Sequence, residues 1–149
     1  MILVEKINAD LKTAMLARDE VALRGIRAIK AAILNAQTEV GGSKDLSAEK
    51  EISILQKLVK QRKDSITIFD QQKREDLAFK EREEVEVIER YLPAQMSEGE
   101  IAEHVKEIIS TSGASGMKDM GKVMGAASKA LAGKADGSLI SQVVKKLLA

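Results

Sequence analysis

The stretch Leu3-Val4-Glu5-Lys6-Ile7-Asn8-Ala9-Asp10-Leu11-Lys12-Thr13-Ala14-Met15 sets an apolar residue at every fourth position: Leu3, Ile7, Leu11 and Met15. This recurrence lines one side of a helix and leaves the charged residues on the other. It predicts a first helix from about Leu3 to Arg18. The same periodicity continues along the chain. Asp19-Glu20 suits a new start, and Leu23, Ile26, Ile29, Ile33 and Ala36 form the inward face of a second helix reaching about Val40, where Gly41-Gly42 stops it. Ser47 is placed to cap a third helix, with Glu49 and Glu51 in a first turn that favours negative charge. Its face reads Ile52, Leu55, Leu58 or Val59, Arg62, Ile66 and Phe69. A fourth helix, about Arg74 to Leu92, turns Leu77, Val85, Ile88 and Leu92 inward. No segment shows the period-two alternation of β-branched residues that marks a strand.

Composition agrees with an all-α, multihelical chain. Hydrophobic residues make up 44% of the 149 residues, but aromatic residues only 2%: Phe69, Phe79 and Tyr91. Such a core is filled by Leu, Ile, Val, Met and Ala, which pack well between helices. The single proline, Pro93, marks a change of character: three of the ten glycines precede it and seven follow. We therefore expect an amino-terminal long-helix domain over residues 1–92 and a small three-helix carboxy-terminal domain over residues 93–149. In the second, Ser97 and Glu100 form a capping box ahead of Ile101, Val105, Ile108 and Ile109. A sixth helix carries Met120, Val123, Met124, Ala127 and Leu131 and ends at Gly133. Asp136 or Ser138 caps a last one, with Leu139, Ile140, Val143, Val144, Leu147 and Leu148.

Several classes of chemistry lack their residues. There is no Cys, hence no disulfide, thiol nucleophile or cysteine metal site; this fits a reducing compartment and points to the cytoplasm. The one histidine, His104, reads as a helix-face residue and provides neither a zinc ligand set nor a paired general base. Gly121-Lys122-Val123-Met124-Gly125 has the wrong order for a phosphate-binding or dinucleotide loop. Glu81, Glu83, Glu84, Glu86 and Glu89 are interleaved with Lys80, Arg82 and Arg90, the pattern of a solvated, ion-paired helix face. Arg62 falls on the inward side of its helix and calls for a carboxylate from Asp76, Glu81 or Glu84. Residues Met1 to Met15 carry Glu5, Lys6, Asp10 and Lys12 and read as a helix rather than a signal peptide. No stretch approaches the roughly 18 apolar residues of a membrane span. No catalytic residue, metal, cofactor or small-molecule substrate is expected.

The net charge of +1 excludes a histone-like binder but not a local basic surface. Between Gly116 and Lys146 stand six lysines, at 118, 122, 129, 134, 145 and 146, against Asp119 and Asp136. Gly121 and Gly125 lie in or at the start of a helix, where each glycine costs about 1 kcal/mol relative to alanine. Close packing of a second helix is one reason to keep them, and close approach of a nucleic-acid backbone is another. With Asp119 as N-cap, Gly121 lies in the first turn, where free backbone N–H groups can meet a phosphate. Gly133-Lys134 repeats the pairing at the other end of the helix. Aromatic platforms are missing here, so backbone and shape contact are expected rather than base reading. Lys118, Gly121, Lys122, Gly125, Gly133 and Lys134 are the RNA-facing candidates. The Met117, Met120 and Met124 surface instead suits docking on a protein.

Lys57-Leu58-Val59-Lys60-Gln61-Arg62-Lys63-Asp64-Ser65, Arg74-Glu75-Asp76-Leu77-Ala78 with Glu81, and Tyr91-Leu92-Pro93-Ala94-Gln95-Met96-Ser97 resemble the YqeY family. Asp119 to Gly125 and Gly133 to Ser138 extend the resemblance over essentially the whole chain. Lys73 stands where the family pattern leads to Gly, which points to third and fourth helices that are nearly continuous. The family is similar to the tail of GatB, the B subunit of the tRNA-dependent amidotransferase, which amidates glutamate or aspartate mischarged on tRNA. The resemblance thus implies a helical module that contacts tRNA, in a group associated with carbon–nitrogen ligase activity using glutamine as amido donor. The catalytic body of that subunit has no counterpart in these residues. We therefore expect an accessory tRNA-binding module of translation without stand-alone activity, with a protein–protein adaptor as the alternative.

Overall fold

A computed structural model describes residues 2–39, 41–42 and 45–149. These residues form seven α-helices and no strand: α1 (Ile2–Ala17), α2 (Glu20–Thr38), α3 (Ala48–Gln71), α4 (Glu75–Glu89), α5 (Glu98–Ser112), α6 (Met120–Ala130) and α7 (Gly137–Leu148). They fall into two compact units, Met1–Leu92 and Pro93–Ala149.

Local chemistry explains the helix ends in the first unit. The Asp19 carboxylate accepts from the Ala22 N–H at 3.1 Å and starts α2. The Ser47 hydroxyl accepts from the Lys50 N–H at 3.1 Å and starts α3. The second helix ends at Thr38, Gly41 takes a φ of 80°, and Val40 lies outside the described residues. The third and fourth helices are not continuous, contrary to what Lys73 suggested. Lys73 itself takes the left-handed conformation, with φ 58°. Its N–H reaches the Asp70 carbonyl at 3.1 Å and the Arg74 N–H reaches that of Phe69 at 2.8 Å. These two bonds are the Schellman closure that glycine ordinarily makes. Arg18, at φ 54°, closes α1 in the same way through Met15 and Ala14. A side chain in that conformation costs roughly 1–2 kcal/mol, and periodicity does not reveal where a chain tolerates it.

The first core gathers Ile7 and Ala14 of α1, Leu23, Ile26, Ile29 and Ile33 of α2, Leu55 and Val59 of α3, and Val85, Val87 and Ile88 of α4. Met15, expected on the inner stripe, is 55% exposed, and the smaller Ala14 is buried in its place. Helices α3 and α4 pair along much of their length, and α2 packs on α1 and α4 while touching α3 sparingly. The crossing of α2 and α4 is close: a Cβ on Gly25 would lie 2.5 Å from Val87 Cγ1 and 2.6 Å from its Cβ. The Tyr91 hydroxyl donates to the Asp10 carboxylate at 2.5 Å and ties the end of α4 to α1. Burial and this carboxylate push the phenol above the usual tyrosine range. Cross-helix ion pairs Arg24–Glu83 (3.0 Å), Arg82–Asp70 (2.6 Å) and Lys63–Glu89 (3.4 Å) cover the outside. Arg62 donates to the Leu58 carbonyl at 3.1 Å and lies 3.8 Å from Glu84, one of the carboxylates expected for it. Asp76 is taken by Arg74. Partial burial, then the neighbouring Glu84 charge, raises the pKa of Glu81, against the pull of Arg62 and Arg24.

The second unit opens on the expected capping box: Ser97 accepts from the Glu100 N–H, and Glu100 accepts from the Ser97 N–H, both at 3.2 Å. Ile101 and Val105 of α5, Val123 and Ala127 of α6, and Ile140, Val143, Val144 and Leu148 of α7 enclose its core with Leu131 and Ala135. The segment ahead of α5 is stitched to the turn after α6. Gln95 Nε2 donates to the Gly133 carbonyl at 3.0 Å, and the Met96 N–H donates to the Lys134 carbonyl at 2.9 Å.

Two substitutions test these backbone assignments by chemical denaturation. Gly25→Ala forces overlap with Val87 and should destabilise the chain by about 1–3 kcal/mol. Lys73→Gly relieves the left-handed side chain and should stabilise by up to about 1 kcal/mol. A neutral Gly25→Ala would contradict the close crossing.

Candidate nucleic-acid interface

The candidate residues sit at and along α6. A single 3-10 turn, Met117–Asp119, leads into the helix. In this turn the Asp119 N–H bonds to the Gly116 carbonyl at 3.2 Å and the Met120 N–H to that of Met117. Two donors that an abrupt helix start would leave open are thus used internally. Asp119 does not cap α6 with its side chain; its carboxylate accepts from the Ser115 N–H at 2.8 Å and holds the preceding loop. The phosphate-binding first turn expected at Gly121 is therefore less open than its sequence suggested.

The helix face itself is more informative. Val123 and Ala127 are wholly buried, and Met120 and Met124 are partly so. On the opposite side Gly121, Lys122, Gly125, Ser128 and Lys129 are all exposed. A Cβ built on Gly121 or on Gly125 meets nothing within 4 Å. Packing of a second helix from the same unit therefore does not account for these glycines. Four residues apart, they form one row of bare backbone. Lys122 and Lys129, separated by seven residues, form the adjoining row. Lys129 was not among the candidates; its spacing from Lys122 is the signal that places it here.

The remaining candidates divide. Lys118 is exposed in the 3-10 turn before α6, and Lys134 is exposed in the turn after it. Gly133 is buried with φ 77°, and its carbonyl accepts from Gln95. Its role is conformational, because the turn needs a left-handed residue whose carbonyl holds the segment before α5. Lys122 Nζ lies 3.5 Å from the Ser112 carbonyl at the end of α5, a favourable place for a cation. Lys146 pairs with Glu98 at 3.0 Å. Among the described residues, Lys118, Lys122, Lys129, Lys134 and Lys145 make no ion pair, so the positive charge around α6 is not neutralised within the unit. His104 is exposed beside this region and lines an open groove of about 440 Å³ with Glu107, Thr111, Ala126 and Ala130.

The chain matches the family model described as Yqey-like protein over residues 4–148. It belongs to the YqeY family. Among curated proteins it is similar to "Altered inheritance of mitochondria protein 41, mitochondrial" of Pyrenophora tritici-repentis, with 32% identity over 99% of this chain and 81% of that protein. The protein of the same name from Saccharomyces cerevisiae is 38% identical over 71% of this chain and 58% of its own length. That of Clavispora lusitaniae is 39% identical over 60% and 51%. This YqeY chain thus spans little more than half of the two yeast relatives that it matches. The expectation of a cytoplasmic location is overturned here, because these relatives are named as mitochondrial proteins. The inference failed because a lack of cysteine reports at most on redox conditions, not on which compartment supplies them. No helix among the described residues is long and apolar enough to cross a membrane.

Because their Cβ positions are open, Gly121→Ala and Gly125→Ala should each stabilise the chain by about 0.5–1 kcal/mol. Thermal or denaturant unfolding of each variant reads this directly. Destabilisation would mean that the bare backbone is needed for packing inside the protein.

Proposed function

We propose that this YqeY protein is an accessory module that contacts folded tRNA through the exposed face of α6 and the lysine-bearing turns at its two ends. The observation that carries the reading is the bare backbone at Gly121 and Gly125, bordered by lysines that have no carboxylate partner in their own unit. Two helical glycines cost stability, and the open space before them leaves close approach by another molecule as their use. A phosphodiester backbone supplies the charge that Lys118, Lys122, Lys129 and Lys134 lack. The eleven-residue α6 is roughly 16 Å long, so the two turns can meet separate phosphates. The lack of aromatic side chains in this unit favours recognition of shape over sequence. The resemblance to the tail of GatB supplies the choice of tRNA among folded RNAs. Gly133 is withdrawn from the contact set because it is buried. In this reading the chain binds and presents tRNA, and ammonia transfer belongs to another polypeptide.

A titration of fluorescent tRNA against the full chain at several salt concentrations tests this. Three to four neutralised phosphates give a fall of log K with log salt of slope about −3. Lys122→Ala and Lys134→Ala should each weaken binding and flatten that slope by about 0.9. Gly125→Ala should weaken binding while raising stability. Binding that ignores all three substitutions would remove the site from α6. Amidation of mischarged tRNA by the isolated chain with glutamine and ATP would overturn the accessory role.

A further inference from the structure

The first unit carries a second surface that the tRNA reading does not use. Between α2 and α3 runs an open groove of about 490 Å³. Its α2 wall is small: Ala28, Ala31, Ala32 and Ala36 succeed one another at helical spacing. Its α3 wall presents Lys50, Lys57 and Arg62 among Ser53, Ile54 and Gln61. Along α3 the groove extends over twelve residue steps, Lys50 to Arg62, or about 18 Å. Along α2 it runs from Ala28 to Glu39, a similar length. The two helices barely pack on each other, so the groove is a feature of the fold rather than of a single side chain.

We propose that this groove docks an acidic amphipathic helix of a protein partner, about three turns long, that lies between α2 and α3. Three features favour that occupant. The first is charge: three cations line the groove against one carboxylate, Glu39, and neither Lys50 nor Lys57 makes an ion pair among the described residues. The second is an incompletely satisfied cation at one end of the groove. Arg62 Nε is buried without an acceptor among the described residues, and Glu84 is 3.8 Å from the guanidinium, beyond hydrogen-bond distance. Nε itself is closed to a partner, but the side chain as a whole is 17% exposed, and a partner carboxylate on that exposed part adds a second counter-charge.

The third feature is shape. The alanine wall of α2 lets a helix backbone come close, as interaxial distances of about 8–10 Å require. Lys50 and Lys57 are two turns apart on one face, so carboxylates seven residues apart on the incoming helix meet both. A nucleic acid fits less well. Its backbone would meet the cations of one wall while pressing phosphates against the alanine methyls of the other, and the groove has no ring on which a base could stack.

The test uses the full chain and a stapled helical peptide of about three turns, with an Ala/Leu seam flanked by glutamates at seven-residue spacing. A second peptide carries lysines in place of the glutamates. Amide chemical shifts recorded during titration should change along residues 28–39 and 50–62 with the acidic peptide and not with the basic one. Joint Lys50→Glu and Lys57→Glu substitution, at exposed sites, should weaken the acidic peptide by about tenfold or more. Ala32→Leu should fill the groove and abolish binding, and Lys80→Glu, outside it, should change nothing. Shifts confined to other residues, or affinity indifferent to the two lysines, would overturn the proposal. So would tRNA that shifts these same residues and displaces the peptide. Lys122→Ala and Lys134→Ala lie in the other unit and should leave peptide binding intact, so this surface and the α6 face can fail separately.

Discussion

A core with almost no aromatic rings must draw its burial from short branched side chains, which fill space only when helix backbones come close. The crossing of α2 over α4 shows this constraint at its tightest, where Gly25 gives way to Val87. Val87 and Ile88 share one core with Leu23, Ile26 and Ile29 of α2 and with Leu55 and Val59 of α3, and α3 pairs with α4 along much of its length. The same economy appears in the second unit, where Ala127 and Ala135 are core residues beside Val123, Val144 and Leu131. Protein interiors pack to near-crystalline density, so these small residues are as specific in their place as large ones.

The glycines divide by what lies in front of them. Gly25 is occupied by a neighbour, and Gly133 is buried and left-handed in a turn whose carbonyls hold Gln95 and Met96. Both serve the fold. Gly121 and Gly125 have neither a neighbour nor a positive φ, and they leave backbone open on a helix anchored by Val123 and Ala127. A helix gives up stability to keep them.

Charge is distributed by the same logic. In the first unit, Arg24, Lys63 and Arg82 each reach a carboxylate on another helix, so much of the charge of α4 is neutralised locally. Around α6 there are few carboxylates within reach, and five lysines stay unpaired among the described residues. In the α2–α3 groove Lys50 and Lys57 are likewise unpaired among the described residues, beside a wall of alanine.

The sequence alone determined the helical class, the inner face of α2, most of that of α1, and the caps at Asp19, Ser47 and Ser97. Each of these depends on residues a few positions apart, which local chemistry governs. It also displayed the lysines and glycines around α6, because composition and spacing carry them. Other features depend on partners far along the chain, and only the tertiary structure decided them. Val87 is hidden among glutamates in sequence, and its burial follows from a glycine in α2. Lys73 closes a turn in a conformation that favours glycine, because two backbone bonds hold it there. The division of four similar glycines into two that build the fold and two that expose it was likewise invisible until their neighbours were known. A glycine has no side chain whose pattern could announce its role; its meaning lies in the space beside it.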